Sequence, residues 1–208
     1  MSKQMWKPGT FLYPIPAVMV SCGTMEKSNI ITVAWTGTVC TNPAMLYISV
    51  RPERYSYGLL KDSGEFVVNL TTEKLKKATD WCGVRSGRDV DKWKEMHLTE
   101  GQASKLDYAP IIEECPVNIE CKVTEIKELG SHHMFLAKVE AVQVGEEYLD
   151  EKGRLQLGKA GLLAYSHGEY LTLGDSLGTF GWSVRKNTSS KKKKKNIRKG
   201  SSSKKQKK

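Results

Sequence analysis

The stretch N-I-I-T-V-A-W-T-G-T-V-C-T-N-P, residues 29–43, begins as a strand and then changes character. Ile31, Val33 and Trp35 occupy every second position, which is the period of a β-strand. Small and polar residues follow and end at Pro43, after which A-M-L-Y-I-S-V returns to a strand that ends before Arg51. This strand ends in small polar residues that lie between a tryptophan and an arginine. Core packing alone does not account for such a sequence, so this edge of the fold is a candidate functional region.

The positive charge of the chain is concentrated at its C-terminal end. The net charge is +10 over 208 residues, but 13 of the 33 basic residues lie from Arg185 onward, where there is no acidic residue. The rest of the chain carries 20 basic against 23 acidic residues. We therefore expect a mildly acidic folded domain at residues 1–186 and a basic, disordered tail at residues 187–208. The tail could instead contact RNA, DNA or anionic lipid through phosphate charge.

Cysteine usage and hydropathy favour a cytoplasmic protein. The five cysteines are an odd number without a C-x-x-C pair, which argues against a disulfide framework and against a zinc site. The four histidines lack metal-ligand spacing, so we predict no metal. No apolar run approaches the roughly 20 residues of a membrane span, and the N-terminus lacks the apolar core of a secretory signal.

Hydrophobic periodicity predicts a mainly β protein with a few inserted helices. Strands are predicted at residues 16–22, 29–36, 44–50, 65–70, 117–124 and 133–144, and helical pieces at residues 55–61, 72–81 and 89–96. Residues 82–88 are predicted to form a loop. Short strands at regular spacing predict an antiparallel, Greek-key-like barrel with helical decoration.

The polar cluster suits an anionic, planar ligand. The Walker phosphate loop, the dinucleotide G-x-G-x-x-G, G-x-S-x-G and H-E-x-x-H motifs are all absent from the sequence. Arg51 offers a fork of donors for a phosphate, and Ser56 begins a short helix whose N-terminus favours the same group. Two alternatives stay open at this point: Trp35 packs in a core, and Arg51 forms a surface ion pair with Glu53.

The order of several segments resembles a known family. N-I-I-T-V-A-W-T-G, N-P-A-M-L-Y-I-S-V-R, E-F-V-V-N-L, C-G-V-R-S-G-R-D-V-D-K-W and G-S-H-H-M-F-L-A-K-V-E-A-V occur in sequence, followed by A-Y-S-H-G-E-Y. Together they resemble the flavin reductase-like family of FMN-binding split barrels, in its flavoredoxin branch, over residues 1–186. The resemblance implies a split β-barrel homodimer with FMN near the subunit interface.

The resemblance also implies which residues contact FMN. The residues expected to line the flavin ring are Asn29, Thr32, Ala34, Trp35 and Thr36. Near the ring or the ribityl chain, the resemblance places Cys40, Thr41 and Asn42. The phosphate and ribityl contacts are expected from Ser49, Val50, Arg51 and Ser56.

Three further positions follow from the same resemblance. Lys92 is expected to approach the cofactor, Tyr165 to lie over the flavin, and His132 to act at the catalytic position. A second histidine, His133, follows immediately, and the sequence leaves open which of the two faces the site. Cys40 is interpreted first as a small buried hydrophobic residue and only second as a redox-active thiol.

Three functions remain open on the sequence. The first is an FMN-dependent oxidoreductase that takes a hydride from NADH or NADPH and passes electrons to an unknown acceptor. The second is an FMN-binding electron carrier that is reduced by a protein partner. The third is a nucleic-acid-binding protein that works through the basic tail, which leaves residues 1–186 unexplained.

Overall fold

The computed structural model describes residues 1–185, and the predicted basic tail at residues 187–208 lies outside them. One compact unit runs from Met1 to Leu173, and a separate unit begins at Gly174 with a short 3-10 turn at Trp182–Val184. The domain end predicted at residue 186 stays a prediction. Among residues 1–185, no helix is long and apolar enough to span a membrane.

Twelve strands and three α-helices make up the first unit. The strands are β1 (Ile15–Pro16), β2 (Val18–Thr24), β3 (Lys27–Val33), β4 (Thr36–Cys40), β5 (Met45–Val50), β6 (Glu65–Leu70), β7 (Glu100–Gly101), β8 (Ile111–Ile112), β9 (Val117–Leu129), β10 (His132–Val144), β11 (Leu163–Ser166) and β12 (Glu169–Thr172). The helices are α1 (Tyr55–Ser63), α2 (Lys76–Val84) and α3 (Lys92–Met96). Short 3-10 turns lie at Glu73–Leu75, Glu146–Tyr148 and Leu157–Lys159.

A seven-stranded antiparallel sheet forms the body of the unit. Its strand order is β3-β2-β6-β9-β10-β5-β4, and the non-sequential neighbours β2–β6 and β5–β10 give Greek-key-like connectivity. A second sheet, β1-β11-β12, ties the N-terminal segment to the C-terminal hairpin of this unit. The predicted fold class, a mainly β antiparallel split barrel, is confirmed.

The sheet closes on itself because its two edge strands are neighbours in the chain. β3 and β4 occupy opposite edges of the strand order, yet only Ala34 and Trp35 separate them. Three residue steps span at most about 11 Å, so the two edges must meet. The Ser49 amide donates to the Trp35 carbonyl at 2.8 Å, which ties this connection to β5. We call residues 34–35 the junction.

Three sequence-based boundaries were wrong. The strand predicted at residues 29–36 is interrupted, because the chain crosses from one sheet edge to the other at the junction. The loop predicted at residues 82–88 starts later, since α2 continues to Val84. The helical piece predicted from residue 89 begins only at Lys92, because the Asp91 carboxylate caps the helix by accepting the Trp93 and Lys94 amides.

Two apolar layers cover the first strands on both faces. Inside the barrel, Val18, Val20, Ile48, Phe66 and Phe135 pack in one buried cluster. On the outer face, residues of β2 and β3 pack against α2 and the segments around it, in a cluster that contains Met19, Ile30, Ala78, Cys82, Leu98, Ile112 and Cys115. The N-terminal strands are therefore buried on both sides, which explains their nearly continuous hydrophobic sequence. All five cysteines are free, and Cys40 alone among them is not fully buried.

We expect Gly23→Ala to destabilise the β2–β3 hairpin by about 2–4 kcal/mol. Gly23 has φ +92, and a Cβ atom there would lie 2.2 Å from the Lys27 carbonyl oxygen. Chemical denaturation monitored by circular dichroism measures the change in the free energy of unfolding.

Gly58→Ala is the matched control, because Gly58 lies in α1 and a Cβ there meets no atom within 4 Å. This change should stabilise the protein by about 0.5–1 kcal/mol, the usual cost of glycine in a helix. A Gly23→Ala variant as stable as Gly58→Ala would contradict the hairpin geometry.

Candidate functional site

A cavity of about 160 Å³ lies at the junction, and we call it the junction cavity. Its walls come from the end of β3, the junction, the end of β5 and the start of β10. The lining residues are Ile31, Thr32, Val33, Ala34, Trp35, Ser49, Val50, Arg51, Arg54 and His132. One side is apolar and aromatic, and the other carries arginine and histidine side chains.

A larger cavity of about 380 Å³ adjoins it, and we call it the basic cavity. It lies between the start of α1 and the segment that joins α2 to α3. The lining residues are Asn29, Ile31, Arg51, Glu53, Arg54, Tyr55, Ser56, Cys82, Arg85, Ser86, Gly87, Arg88 and Lys92. Both cavities share Ile31, Arg51 and Arg54, so they form one groove with an aromatic end and a cationic end.

Arg51 stands where the two cavities meet. Its Nε atom lies 3.0 Å from Oε1 of Glu53, and both side chains are more than half exposed. The surface ion pair weighed from the sequence is thus present. Exposed pairs of this kind contribute only about 0–1 kcal/mol, so a bound anion can compete for the guanidinium.

Lys92 carries a buried amino group on the floor of the basic cavity. Only 3% of the residue is exposed, and its Nζ atom donates to the Ile30 and Cys82 carbonyls, each at 2.7 Å. An ammonium group has three donors, so one remains for a ligand. Burial lowers the Lys92 pKa to about 8. Within residues 1–185 no carboxylate pairs with this amine, which leaves the floor of the cavity suited to an anion.

The start of α1 adds to the positive potential of the basic cavity. The helix has no acidic residue in its first turn, and its N-cap residue, Arg54, makes no side-chain cap. The positive end of the helix dipole is therefore not neutralised locally. Ser56 in the first turn is buried, and its Oγ accepts a hydrogen bond from Asn29 Nδ2 at 2.7 Å. Asn29 and Ser56 thus form a polar floor beside Lys92.

The loop R-S-G-R, residues 85–88, forms the outer wall of the basic cavity. A Cβ atom at Gly87 would lie 2.2 Å from Asn29 Oδ1 and 2.7 Å from Tyr55 Cδ1, so only glycine allows the loop to approach this closely. Arg88 donates to the Glu53 carbonyl at 3.1 Å, and its guanidinium carbon lies 5.7 Å from the centre of the Tyr55 ring. These contacts fix the loop against α1.

The two adjacent histidines face different surroundings, as strand geometry requires. His132 lines the junction cavity, and its Nδ1 lies 2.9 Å from Ser131 Oγ. Partial burial lowers the His132 pKa, and the charge of Arg51 lowers it further, so the neutral ring is favoured at pH 7. His133 instead lies 2.8 Å through its Nδ1 from the Tyr57 hydroxyl. Of the two, His132 lines the junction cavity, and which of them faces a flavin stays a prediction.

An aromatic cluster extends from Trp35 toward the β11–β12 hairpin. The Trp35 and Tyr13 ring centroids are 6.5 Å apart, and Tyr13 lies 6.0 Å from both Tyr165 and His167. Tyr165, expected over the flavin, lines neither cavity and reaches Trp35 only through Tyr13. Trp35 itself is half-buried and lines the junction cavity, so it both packs against neighbours and offers a face to a ligand.

The structure brings together only part of the predicted set. The predicted residues that line one of the two cavities are Asn29, Thr32, Ala34, Trp35, Ser49, Val50, Arg51, Ser56, Lys92 and His132. Thr36 is buried beside them, where its Oγ1 donates to the Tyr47 carbonyl at 2.7 Å. Cys40, Thr41 and Asn42 lie at the end of β4 and in the following turn, away from both cavities. Ligand contact at each of these residues stays a prediction.

Sequence reasoning missed three arginines, which are Arg54, Arg85 and Arg88. The basic spacing of the R-S-G-R loop was a usable signal, but nothing in the sequence showed that this loop folds against the start of α1. Across residues 1–185, no cluster of three or more histidine, cysteine or acidic side chains could hold a metal ion.

Curated relatives share this chain's sequence over most of its length. A protein of Archaeoglobus fulgidus is 32% identical over 142 residues, which cover 68% of this chain and 79% of the relative. A second relative, from Pyrococcus abyssi, is 29% identical over 166 residues, covering 80% of this chain and 94% of the relative.

Solved structures share its fold. The flavoredoxin of Desulfovibrio vulgaris superposes with a TM-score of 0.82 at 26% identity, covering 88% of this chain and 100% of that chain. The flavoredoxin of Methanosarcina acetivorans gives a TM-score of 0.80 at 29% identity over 89% of this chain and 100% of that chain. An FMN-binding protein of Thermus thermophilus gives 0.72 at 27% identity over 86% and 98%.

The family assignment agrees with this likeness. The profile of the family described as Flavin reductase like domain matches residues 10–174, which include every residue that lines the junction and basic cavities. With a split barrel, a groove at its junction and a profile match over most of its length, the chain belongs to the flavin reductase like domain family.

Proposed function

We propose that this protein binds FMN non-covalently and is an oxidoreductase that passes electrons from NADH or NADPH through FMN to an acceptor. The observation that carries the proposal is the groove, which is aromatic and apolar at the junction and cationic at the start of α1. FMN has the same division, with a planar ring at one end and a phosphate at the other. The Thermus thermophilus neighbour is itself described as an FMN-binding protein.

The junction cavity suits the flavin ring. Ala34 is small enough for a ring to approach the backbone closely, and Trp35 beside it offers apolar surface. Ser49 and Thr32 add hydroxyl groups, although the Thr32 hydroxyl already donates to the Thr79 carbonyl. His132, in its neutral form, offers one ring nitrogen to a polar edge of a ligand. The residue set at this end therefore fits a planar ring with polar edges.

The basic cavity suits the phosphate. Lys92 on the floor, Arg51 at the meeting of the two cavities and the open N-terminus of α1 all favour an anion. Asn29 and Ser56 provide the uncharged polar surface between them. A terminal phosphate fits this donor set, because charged donors approach it from several directions at once.

The residues of the chain would bind FMN, orient it and shield it from water, because the cofactor itself carries out the redox chemistry. When bound, FMN supplies hydride acceptance and one- or two-electron transfer. Lys92 and Arg51 would hold the phosphate end of the ligand, so that the ring end would lie against Trp35. Trp35, whose ring centroid lies 6.5 Å from that of Tyr13, would shield that end of the ligand from water.

The absorption spectrum of the purified protein, followed by anaerobic titration with NADH and NADPH, tests the proposal. Flavin absorbance that is bleached by either nucleotide supports it. Two structurally similar proteins are named flavoredoxin, which supports an FMN-binding electron carrier as the alternative function. A bound flavin that dithionite reduces, but neither nucleotide does, would favour that alternative.

We also propose a homodimer, because exposed apolar side chains remain on the strands around the barrel. Val39 on β4, Leu129 on β9 and Val142 on β10 are each 45–56% exposed. Light scattering at micromolar concentration with FMN present should give the mass of two chains. The mass of one chain under these conditions would remove this part of the proposal.

Arg51→Ala should weaken FMN binding by about two to four orders of magnitude. Two charge-assisted hydrogen bonds to the phosphate, at roughly 1.5–3 kcal/mol each, account for this loss at 1.4 kcal/mol per factor of ten. Riboflavin has no phosphate and should lose little affinity. Fluorescence titration with both flavins gives the ratio of the two affinities, in which general damage to the fold cancels.

Arg154→Ala is the control, since the Arg154 guanidinium pairs with Asp150 and lines neither cavity. It should leave the FMN-to-riboflavin ratio unchanged. If Arg51→Ala behaves in the same way, the phosphate does not contact Arg51, whose only role is then the ion pair with Glu53.

The FMN-to-riboflavin affinity ratio should fall as the pH rises above about 8. The free protein loses the Lys92 proton near this pH. A bound phosphate dianion raises the Lys92 pKa in the complex, so binding takes up a proton and weakens by at most tenfold per pH unit between the two pKa values. Burial raises the pKa of Cys82 to about 11 and that of Cys22 to about 12, so neighbouring thiols do not titrate in this range.

Lys92→Met should flatten this pH dependence and lower the ratio at pH 7, because the variant has no amine to titrate. Calorimetric titrations at pH 7, 8 and 9 with both flavins measure the slope. The same slope in Lys92→Met and in the original protein would assign the pH effect to another group.

A further inference from the structure

The basic cavity holds more positive charge than one phosphate neutralises. Four arginines and Lys92 line it, and Glu53 is the only acidic residue among them. The net charge of the lining is therefore about +4. A phosphate monoester carries about −1.5 to −2 at pH 7. About two positive charges remain after the FMN phosphate is bound, which is enough for a second anionic group.

Three of the five cations already have partners in the folded chain. Arg51 pairs with Glu53, and Arg88 donates to the carbonyl of the same residue while it lies over the ring of Tyr55. Lys92 donates to two backbone carbonyls. These three side chains have defined positions before any ligand arrives.

Arg54 and Arg85 are different. Neither side chain makes a hydrogen bond or an ion pair with any residue in the described range 1–185. Arg54 lines both cavities and so lies on the path of a flavin that spans them. Arg85 lines only the basic cavity, on the wall opposite the start of α1. Of these two arginines, Arg85 is the one that does not line the junction cavity. It is therefore the better candidate for contact with a second anionic group.

The backbone of Arg85 is fixed by a hydrogen bond, whereas its side chain has no such contact. Its amide donates to the Trp81 carbonyl at 3.0 Å where α2 ends, and the residue is extended, with φ −80 and ψ 148. Two residues later, Gly87 packs against Asn29 and Tyr55 and anchors the loop. A guanidinium on an anchored backbone at a cavity rim is suited to bidentate contact with a phosphate.

We propose that Arg85 binds a phosphate group of the pyridine dinucleotide that donates the hydride, which makes it a specificity residue for the donor. This inference rests on the proposed function. The dinucleotide is the second phosphate-bearing molecule in that reaction, and its nicotinamide ring must reach the flavin at the junction cavity. Because the two cavities form one groove, the diphosphate of a donor that enters there lies within the field of the basic cavity.

Arg85→Gln tests the inference in the FMN-loaded protein by anaerobic stopped-flow. The reductants are NADH, NADPH and N-benzyl-dihydronicotinamide, which carries the same reactive ring without phosphate. We expect the concentrations of NADH and NADPH needed for half-maximal reduction rate to rise about tenfold to hundredfold. Reduction by the benzyl compound and the affinity for FMN should stay within twofold.

Arg154→Gln removes the same charge from a site outside both cavities and should change none of these quantities. Three results for Arg85→Gln would overturn the assignment. They are an equally impaired reduction by the benzyl compound, a loss of FMN affinity with unchanged reduction by NADH and NADPH, and no change in any of these quantities. If FMN binds but the unmodified protein is reduced by none of the three dihydronicotinamides, the proposed function itself fails, and this inference fails with it.

Discussion

The junction between β3 and β4 is the constraint on which the rest of the structure depends. Ala34 and Trp35 alone connect the two edges of a seven-stranded sheet, so the sheet must curl until those edges meet. Within residues 1–185 no ladder pairs β3 with β4, so the barrel stays split beside the junction. Curling of the sheet also brings together the end of β3, the end of β5 and the start of β10, which supply Val33, Ser49 and His132 to one cavity.

Closure of the sheet leaves a cavity at the junction that a ligand can occupy. At the junction the chain leaves the ladder, and Trp35 offers its carbonyl to Ser49. Side chains near this point do not all point into the barrel core, so Trp35 and Thr32 are only half-buried. A planar molecule at this position would cover apolar surface that the protein leaves partly open. The candidate site therefore lies where the barrel is split.

The cationic end of the groove depends on burial as much as on charge. Lys92 lies almost entirely out of water and is stabilised by two carbonyls rather than by a carboxylate. A buried ammonium without a counter-ion is costly, and a bound anion relieves that cost. The same amine at the surface would be screened by water and salt and would attract an anion far less.

Local pattern was enough to predict most of the architecture. Alternating hydrophobic residues predicted β3 and β9, and short hydrophobic runs bounded by turn signals predicted β2, β5, β6 and β10. The order of short segments predicted the family, which the profile match confirms. The break at residues 34–35 was not predictable from local pattern. Trp35 continues the alternation, and only closure of the sheet forces the chain out of the ladder there.

By itself, the sequence determined the fold class, the family and the polar edge beside Trp35. Only the tertiary structure decided which cations share one cavity. Arg51 and Arg54 precede α1, Arg85 follows α2 and Lys92 begins α3, so they meet because these helices pack on the same barrel. It also decided that His132, not His133, lines the cavity. These residues come together through contacts between segments that are far apart in the chain. The local sequence around each residue does not encode those contacts.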